Sequence, residues 1–429
     1  MVLRRYADRM ERRRQLELSP DPARIEDQDL TVINGRIFDG VHDTLIEGGV
    51  RIVAGRITEV GPDVAAGSER VIDAAGRTIM PGLIDAHLHA FAIDLTGEQE
   101  EVVPPTYVGV RAARRLSAAL ARGFTTVRDV AGGDPAFARA GREGLFWSPR
   151  YLYTGAALSQ TGGHGDRRGP ESEECLHGGL GCEVVDGADA IRRTVRDRFR
   201  RSAHAIKLMT SSGVVSPADP LRVPQYTAEE IRAATDEAGR RGSYVAVHAY
   251  SPEAISLSVR AGARTVEHGN LLDPESAELM AEHGAFLVPT LAAYEAMRTR
   301  GAELGLPEVA QRKNREVLDA GRDSIKIARA AGVPVGFGSD LMGDLQDDQL
   351  NGLRLQAEVD GWPNALRSAT SVNAALLGQD DLGRVAVGCV GDLLILPGDV
   401  FEQPEVLHNE RAPRTVIRSG TVCFSPLDR

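Results

Sequence analysis

The middle of the chain repeats a two-part pattern, in which a short apolar run is followed by an amphipathic segment of helical period. AIKLM precedes TAEEIRAATDEAGRRG, YVAVHA precedes SPEAISLSVRAG, and TVEHG precedes DPESAELMAEHG. Repeating β-then-α units imply a parallel sheet joined by right-handed crossovers. The repeats extend over roughly 300 residues, which fits a (β/α)8 TIM barrel of about 250 residues plus insertions. The pattern therefore predicts an α/β fold in which residues 81–380 form one barrel domain.

The two ends of the chain differ from the middle in residue composition and in the spacing of turn residues. LTVINGRIFDG and GGVRIVAGRITEVGP near the start, and DLLILPG and PRTVIRSGTVCF near the end, are rich in β-branched residues and interrupted by turn dipeptides. Such stretches are typical of short strands and hairpins. Strand-rich ends around a helix-containing middle predict one small β-sandwich domain, built from residues 1–80 and 381–429.

Charge and composition exclude several classes of protein. The formal net charge of −11 argues against nucleic acid as a partner, because the phosphate backbone favours clustered Lys and Arg. The chain has only four cysteines and no CxxC pair, so neither a disulfide framework nor a cysteine zinc site is indicated. No apolar segment follows the basic N-terminus, and no run reaches the roughly 18 apolar residues of a membrane span. We therefore expect a cytoplasmic protein that acts on a small molecule.

The histidines fall where a barrel builds its site. His87 and His89 form His-x-His at the end of the first predicted barrel strand, so both imidazoles can point to the same side. His248, His268 and Asp340 each end a separate predicted strand. Any one of these histidines alone would more often be a packed or solvated residue, but the set predicts a shared metal site. Nitrogen and oxygen ligands without cysteine suit Zn, and also Mn, Co or Fe.

Lys207 lies in the strand AIKLM, where its side chain would enter the barrel. A lysine in that position is costly unless it is neutralised or paired. Burial would lower the pKa of its amine and make the free amine nucleophilic. The alternative is a lysine at the strand mouth that is bonded to an acidic neighbour.

PGLIDAHLH, IKLM, VAVHAY, TVEHG and GFGSD resemble the amidohydrolase superfamily, in the subtype where a carboxylated lysine bridges two metals. The resemblance covers nearly the whole chain and implies two divalent metal ions, with zinc as the first expectation. It implies that CO2 adds to Lys207 to give a carbamate. The implied ligands are His87 and His89 with Asp340 on the more buried metal, the bridging Lys207 carbamate, and His248 and His268 on the second metal.

The same resemblance implies a mechanism. A hydroxide between the two metals would attack the substrate, because two cations lower the pKa of bound water. Asp340 would orient that hydroxide, take its proton and pass it to the leaving nitrogen. Arg128 and Asp129, which end the second predicted strand, are expected to support the ligands without binding metal.

Two predicted loops indicate which branch of this superfamily the chain resembles. SQTGGHGD and MTSSGVVSPADPLRVPQYTAEEI resemble the branch that holds Xaa-Pro dipeptidases and ochratoxin-type amidases, although Ser212-Gly213-Val214 departs from the usual Ser-Gly-Gly-Val. The resemblance implies that His164 donates to the substrate carbonyl and that Tyr250 binds a substrate carboxylate, helped by Arg222. The structural alternatives are loop stabilisation by His164, packing by Tyr250 and a solvated charge at Arg222.

These observations predict a metal-dependent amidohydrolase that cleaves the amide C–N bond of a small dipeptide-like or N-acyl amino acid substrate. An alternative on the same scaffold is a hydrolase of carbamates, ureas or other xenobiotic amides, because specificity resides in the βα-loops. A binding or assembly protein that has lost its metal ligands is disfavoured, since all six ligand positions are filled. Homo-oligomers are common in the branch that the chain resembles, so a homo-oligomer is expected.

Overall fold

The computed structural model describes residues 28–95, 103–168, 171, 179–216 and 220–426. The first 27 residues of the predicted small domain therefore lie outside the described part of the chain. The described strands are β1 (Leu30–Ile37), β2 (Ile46–Val53), β3 (Arg56–Gly61), β4 (Arg70–Asp73), β5 (Thr78–Pro81), β6 (Leu83–Leu88), β7 (Phe124–Asp129), β8 (Arg150–Tyr153), β9 (Ala157–Ser159), β10 (Cys182–Val184), β11 (Ile206–Met209), β12 (Val245–Ala249), β13 (Thr265–His268), β14 (Phe286–Val288), β15 (Leu393–Leu396), β16 (Thr415–Arg418) and β17 (Thr421–Phe424).

The described helices alternate with the middle strands. They are α1 (Pro105–Ala121), α2 (Pro135–Arg142), α3 (Ala188–Arg200), α4 (Ala228–Gly239), α5 (Pro252–Arg260), α6 (Pro274–Glu282), α7 (Leu291–Arg300), α8 (Glu308–Ala330), α9 (Asn351–Asp360), α10 (Trp362–Arg367), α11 (Asn373–Leu377) and α12 (Glu405–His408). Among these helices, none is long and apolar enough to cross a membrane.

Strands from both ends of the chain form one hydrogen-bonded sheet. Its order is β17-β16-β15-β5-β1-β2-β3, and β4 pairs with β1. The join between the two ends is the antiparallel pair of β5 and β15, in which Ile79 lies opposite Ile395. Both residues belong to the apolar core of this sheet, together with Val50, Ile52 and Ile417. Burial of these side chains holds the two ends together. The finer description as a sandwich stays a prediction.

The middle strands are parallel, as the repeat predicts. β6, β7 and β8 form one sheet, and β10, β9, β11, β12, β13 and β14 form another. Backbone hydrogen bonds also join the segment 335–340 to β14 on one side and to β6 on the other, through Gly336 N to Leu287 O and Ala86 N to Phe337 O. The regular strand pairing nevertheless leaves the sheets open, so a closed eight-stranded barrel is not confirmed by it.

The strand β12 shows how the sequence positions the site. Val245 and Val247 pack in the apolar core that the sheet shares with the surrounding helices. The residue that follows Val247 is His248, and its side chain therefore lies on the opposite face of the strand. The helix that follows begins at Pro252 and is capped by Ser251, whose hydroxyl accepts a hydrogen bond from Ala254 N at 3.3 Å. The strand therefore ends at a fixed point, with its histidine at the carboxyl end of the sheet.

Candidate metal centre

Three of the predicted ligands form a compact group. One ligand atom each from His87, His89 and Asp340 lies within 4.8 Å of the other two, and each of the three residues is at most 9% exposed. Nε2 of His89 is 2.9 Å from the Asp340 carboxylate, and Nε2 of His87 is 3.3 Å from it. The backbone N–H of Asp340 donates to the carbonyl of His87 at 2.8 Å, which fixes the register of the two segments. Two imidazoles and a carboxylate at this spacing can hold a divalent cation.

His248 and His268 lie beside this group. Their ring centroids are 4.5 Å apart, and the ring of His268 is 5.0 Å from that of His87. One nitrogen of each ring is engaged by the protein, because Nε2 of His248 is 2.9 Å from Ser212 O and Nδ1 of His268 is 2.8 Å from Thr290 Oγ1. The other nitrogen of each ring is left for a cation, which is the arrangement that fixes a histidine ligand. Burial lowers the pKa of both imidazoles well below its ordinary value, so both rings are neutral.

Lys207 completes the predicted set. Its side chain is 2% exposed, and its Nζ has no hydrogen-bond partner among the described residues. Burial lowers the pKa of the amine to about 8. A buried amine without a partner is unfavourable, whereas a carbamate at the same place would offer its oxygens to cations. The residues present therefore fit two divalent metals with a carboxylated lysine.

A buried network below the ligands was not predicted in full. Nδ1 of His87 donates to Oε2 of Glu267 at 2.7 Å, and Oε1 of Glu267 accepts from Nη2 of Arg128 at 2.7 Å. Arg128 also donates from Nε to the carbonyl of Ala86 at 2.5 Å, so it joins β6, β7 and β13. Burial alone would raise the pKa of Glu267, but the Arg128 guanidinium and His87 lower it below its usual range. Glu267 is therefore an ionised acceptor that orients His87.

Glu267 and His268 reach the site from consecutive positions. Neighbouring residues of a regular strand face opposite sides, so strand alternation predicts only one of the two side chains at the site. The φ angle of His268 is +74°, in the left-handed region, and this breaks the alternation at the strand end. The signal that could have identified Glu267 was an acidic residue inside a strand that is otherwise buried.

Asp85 is a second buried support that sequence reasoning missed. Its Oδ1 accepts from the backbone N–H groups of His87 and Ser339, both at 3.1 Å. Its Oδ2 accepts from Ser339 Oγ at 2.6 Å and from Gln349 Nε2 at 2.8 Å. Burial raises the pKa of Asp85, and these four donors act against that shift. Asp85 thereby ties the His87 strand to the segment that carries Asp340.

Asp129 supports the loop that carries His89. Its carboxylate accepts from Ala90 N at 3.2 Å, Ala131 N at 3.3 Å and the hydroxyl of Tyr151 at 2.7 Å. Burial raises the pKa of this carboxyl, although the nearby His89 and these hydrogen bonds lower it again. The position agrees with a supporting role.

The glycine-rich loop brings His164 to the site. The ring of His164 stacks on that of His248, with centroids 4.3 Å apart and planes at 21°. Its backbone N–H donates to Gln225 Oε1 at 2.9 Å. A Cβ on Gly213 would lie 2.1 Å from the His164 ring, so only glycine allows this approach. The two branch-specific loops therefore meet over His248, which is one of the predicted ligands.

Tyr250 lies against the other histidine. Its ring is parallel to that of His268 within 9°, at a centroid distance of 5.2 Å. Its hydroxyl is 2.8 Å from the hydroxyl of Tyr294, which the sequence analysis did not single out. Burial raises the pKa of both tyrosines, so both hydroxyls keep their protons at neutral pH.

Arg222 is not brought into contact with these groups. Its side chain is 63% exposed, and its Nη2 is 3.4 Å from Glu316 Oε1 on α8. The backbone carbonyl of Arg222 accepts a hydrogen bond from Oγ of Ser251 at 3.1 Å. Ser251 is the residue that follows Tyr250 in the sequence. The contribution of Arg222 to substrate binding stays a prediction.

Residues 78–423 match the amidohydrolase family. The chain is 30% identical to the ochratoxinase of Aspergillus niger over 372 residues, which cover 81% of this chain and 76% of that enzyme. The chain therefore belongs to the amidohydrolase family.

Solved structures agree with this assignment. A prolidase complexed with N-methylphosphonate-L-proline has a TM-score of 0.89 and 41% identity, covering 92% of this chain and 100% of that one. An Xaa-Pro dipeptidase with bound methionine has a TM-score of 0.83 and 27% identity, with coverage of 92% and 100%. The fold is thus TIM-barrel-like α/β with a separate domain, and the branch named from the two loops is confirmed.

Proposed function

We propose that this chain hydrolyses the amide C–N bond of a small dipeptide-like or N-acyl amino acid substrate, using two divalent metal ions. The observation that carries the proposal is a cluster of four imidazoles, one carboxylate and one buried amine. The amine has no hydrogen-bond partner in the part of the chain that the structure describes. Support for this branch comes from the ochratoxinase and prolidase relatives. The ligands that we propose are His87, His89, Lys207, His248, His268 and Asp340.

The donor set suits zinc, because it consists of imidazole nitrogens and carboxylate-type oxygens. Bound divalent cations would lower the pKa of water and polarise the scissile carbonyl. Lys207 enters the set as its carbamate: the neutral amine nitrogen forms a bond to the carbon of CO2 and releases one proton. The lowered pKa of Lys207, about 8, favours the neutral amine that this step needs.

Asp340 is the group that we propose to transfer the proton. Its carboxylate lies within 3.3 Å of both His87 and His89, and its Oδ2 is 3.6 Å from Nδ1 of His268. From this position it can take a proton from the attacking water and deliver it to the leaving nitrogen. The water oxygen forms a bond to the carbonyl carbon as the C–N bond breaks. The products are a carboxylate and a protonated amine.

The substrate would lie between the ligands and the two loops. His164 would donate to the carbonyl oxygen as negative charge develops on it. Tyr250 would donate to an oxygen of a carboxylate beside the scissile amide, and Arg222 would add positive charge at the edge. Stacking of His164 on His248 and of Tyr250 on His268 supports this placement, because each group lies against a proposed ligand.

We also propose that residues 81–380 carry the chemistry, and that 1–80 and 381–429 form the small domain. A cytoplasmic homo-oligomer remains the expectation for the assembly.

The decisive experiment is hydrolysis of one panel by the zinc-loaded protein. The panel contains Xaa-Pro and other dipeptides, N-acyl amino acids, an aryl amide of phenylalanine, carbamates and phenylureas. Each dipeptide is paired with its C-terminal amide, which removes the free carboxylate and keeps the scissile bond. We expect turnover of the free acids with a loss on amidation. Turnover confined to carbamates or ureas would contradict the proposal, and it would indicate a hydrolase of xenobiotic compounds.

A further inference from the structure

Four side chains beside the site form a closed loop of contacts. Nδ1 of His268 is 2.8 Å from Thr290 Oγ1, Thr290 Oγ1 is 3.4 Å from the hydroxyl of Tyr294, and that hydroxyl is 2.8 Å from the hydroxyl of Tyr250. The ring of Tyr250 returns to stack on His268. All four side chains are at most 2% exposed, so bulk water does not compete for these hydrogen bonds.

Thr290 is held in an unfavourable way to make this contact. It precedes α7 with φ of +47°, a left-handed conformation that is uncommon for a β-branched residue. Threonine is a preferred helix cap, but the side chain of Thr290 makes no capping hydrogen bond. Its hydroxyl is directed to His268 and Tyr294 instead. Backbone strain of this kind persists only where contacts with the surrounding structure hold the residue in place.

The number of protons on these groups determines which group donates in each hydrogen bond. A neutral imidazole has one N–H, and each hydroxyl has one proton to donate. If Nε2 of His268 binds a cation, its proton is on Nδ1 and is donated to Thr290. The Thr290 proton then goes to Tyr294, and the Tyr294 proton goes to Tyr250.

We propose that Tyr294 is a positioning residue that fixes Tyr250 as a hydrogen-bond donor to an oxygen of the substrate. With its oxygen occupied by Tyr294, the hydroxyl of Tyr250 has its own proton free for an acceptor. The fitting partner is a carboxylate or carbonyl oxygen, which can only accept. The inference rests on the proposed function, because it assigns Tyr250 to the substrate side.

A double-mutant cycle tests the link between the two tyrosines. Tyr294→Phe is expected to reduce kcat/KM roughly 10-fold, mainly through KM, with zinc content unchanged. In a Tyr250→Phe background the same change is expected to have less than a twofold effect, because the hydroxyl that it positions is gone. Tyr294 with a packing role alone would give equal losses in both backgrounds, and that result would overturn the proposal.

The hydrogen bond between His268 and Thr290 can be tested without substrate. Thr290→Val keeps the β-branched shape and removes the acceptor for His268, whereas Thr290→Ser keeps the hydroxyl. Zinc affinity, measured by competition with a chelator, is expected to fall 10- to 100-fold in the valine variant and to stay near wild type in the serine variant. Equal affinities in folded variants would overturn the proposal. Failure of the wild-type protein to hydrolyse any amide would instead reject the proposed function. The chelator measurement would still show whether the Thr290 hydroxyl supports His268 as a zinc ligand.

Discussion

The Glu267 carboxylate lies 2.7 Å from Nδ1 of His87, in a position where neither side chain is more than 1% exposed. Because Glu267 is ionised and can only accept, His87 must carry its proton on Nδ1. Nε2 is then left for a cation. A carboxylate behind a histidine ligand fixes the orientation of the ring and raises its basicity.

Glu267→Gln should therefore weaken metal binding. The glutamine offers one acceptor oxygen to three donors, His87, Arg128 and Thr265, so at least one of them loses its hydrogen bond to this side chain. We expect zinc affinity to fall 10- to 100-fold, measured by chelator competition. Glu253→Gln makes the same change of charge at an exposed position of α5 and should leave the affinity unchanged. Unaltered zinc binding in Glu267→Gln would show that the carboxylate does not orient His87.

The sequence predicted groups that end strands, including Arg128 and Asp129 as supporting residues, and missed two supporting residues that lie inside strands. His87, His248 and Asp340 stand out because a polar residue follows a short apolar run at each position. Asp85 and Glu267 lie inside such runs, where an acidic residue is explained only by the partners that the fold supplies. Those partners come from segments far away in sequence, such as Arg128 for Glu267 and Gln349 for Asp85.

The fold was predictable to a similar depth. Alternating strands and helices gave the parallel sheets, and the strand-rich ends gave the sheet that joins β5 to β15. The pairing of irregular backbone was not predictable, because the segment 335–340 contacts β6 and β14 without forming a regular strand. Periodicity reports regular elements only.

Lys207→Ala should lose activity together with part of the metal. The variant removes the only proposed ligand that joins both cations, while alanine leaves space in the buried site. We expect short carboxylic acids, such as formate and acetate, to restore a measurable fraction of both zinc content and turnover. Lys326→Ala, at an exposed position of α8, is the control. Full activity of Lys207→Ala without added acid would exclude the carbamate.

The pKa of Lys207 sets the pH dependence of carbamate formation. Burial lowers this pKa from 10.5 to about 8, so half of the amine is neutral near that pH and nearly all of it is neutral about one pH unit higher. With dissolved CO2 held constant, activation of the metal-free protein by zinc should rise with pH and level off above about pH 9. Activity is assayed at a single pH after each incubation. A rate that keeps rising past pH 9 would indicate an amine with an ordinary pKa.

Gly213→Ala should displace His164 without disturbing the ligands. The added Cβ would lie 2.1 Å from the His164 ring, so the ring must move. A displacement of about 1 Å in a positioned group can cost on the order of 100-fold in rate, and we expect kcat/KM to fall by a factor of that order with zinc content retained. Gly109→Ala is the matched control, because a Cβ at that helical position meets open space. Equal activities of the two variants would remove His164 from the reaction.

Asp340→Asn separates proton transfer from metal binding. The amide keeps one oxygen in nearly the same place, so His87, His89 and the other proposed ligands should retain most of the zinc. It cannot take a proton at neutral pH, and loss of a general acid–base group costs about 10²- to 10⁴-fold in turnover.

We therefore expect kcat of Asp340→Asn to fall at least roughly 100-fold while elemental analysis finds largely unchanged zinc. Asp236→Asn, at an exposed position of α4, controls for the change of charge. Because the missing group acts on the leaving nitrogen, amides with poor leaving amines should suffer more than an activated aryl amide. A uniform loss that follows zinc content would instead make Asp340 a ligand alone, and the proton would have to leave by another group.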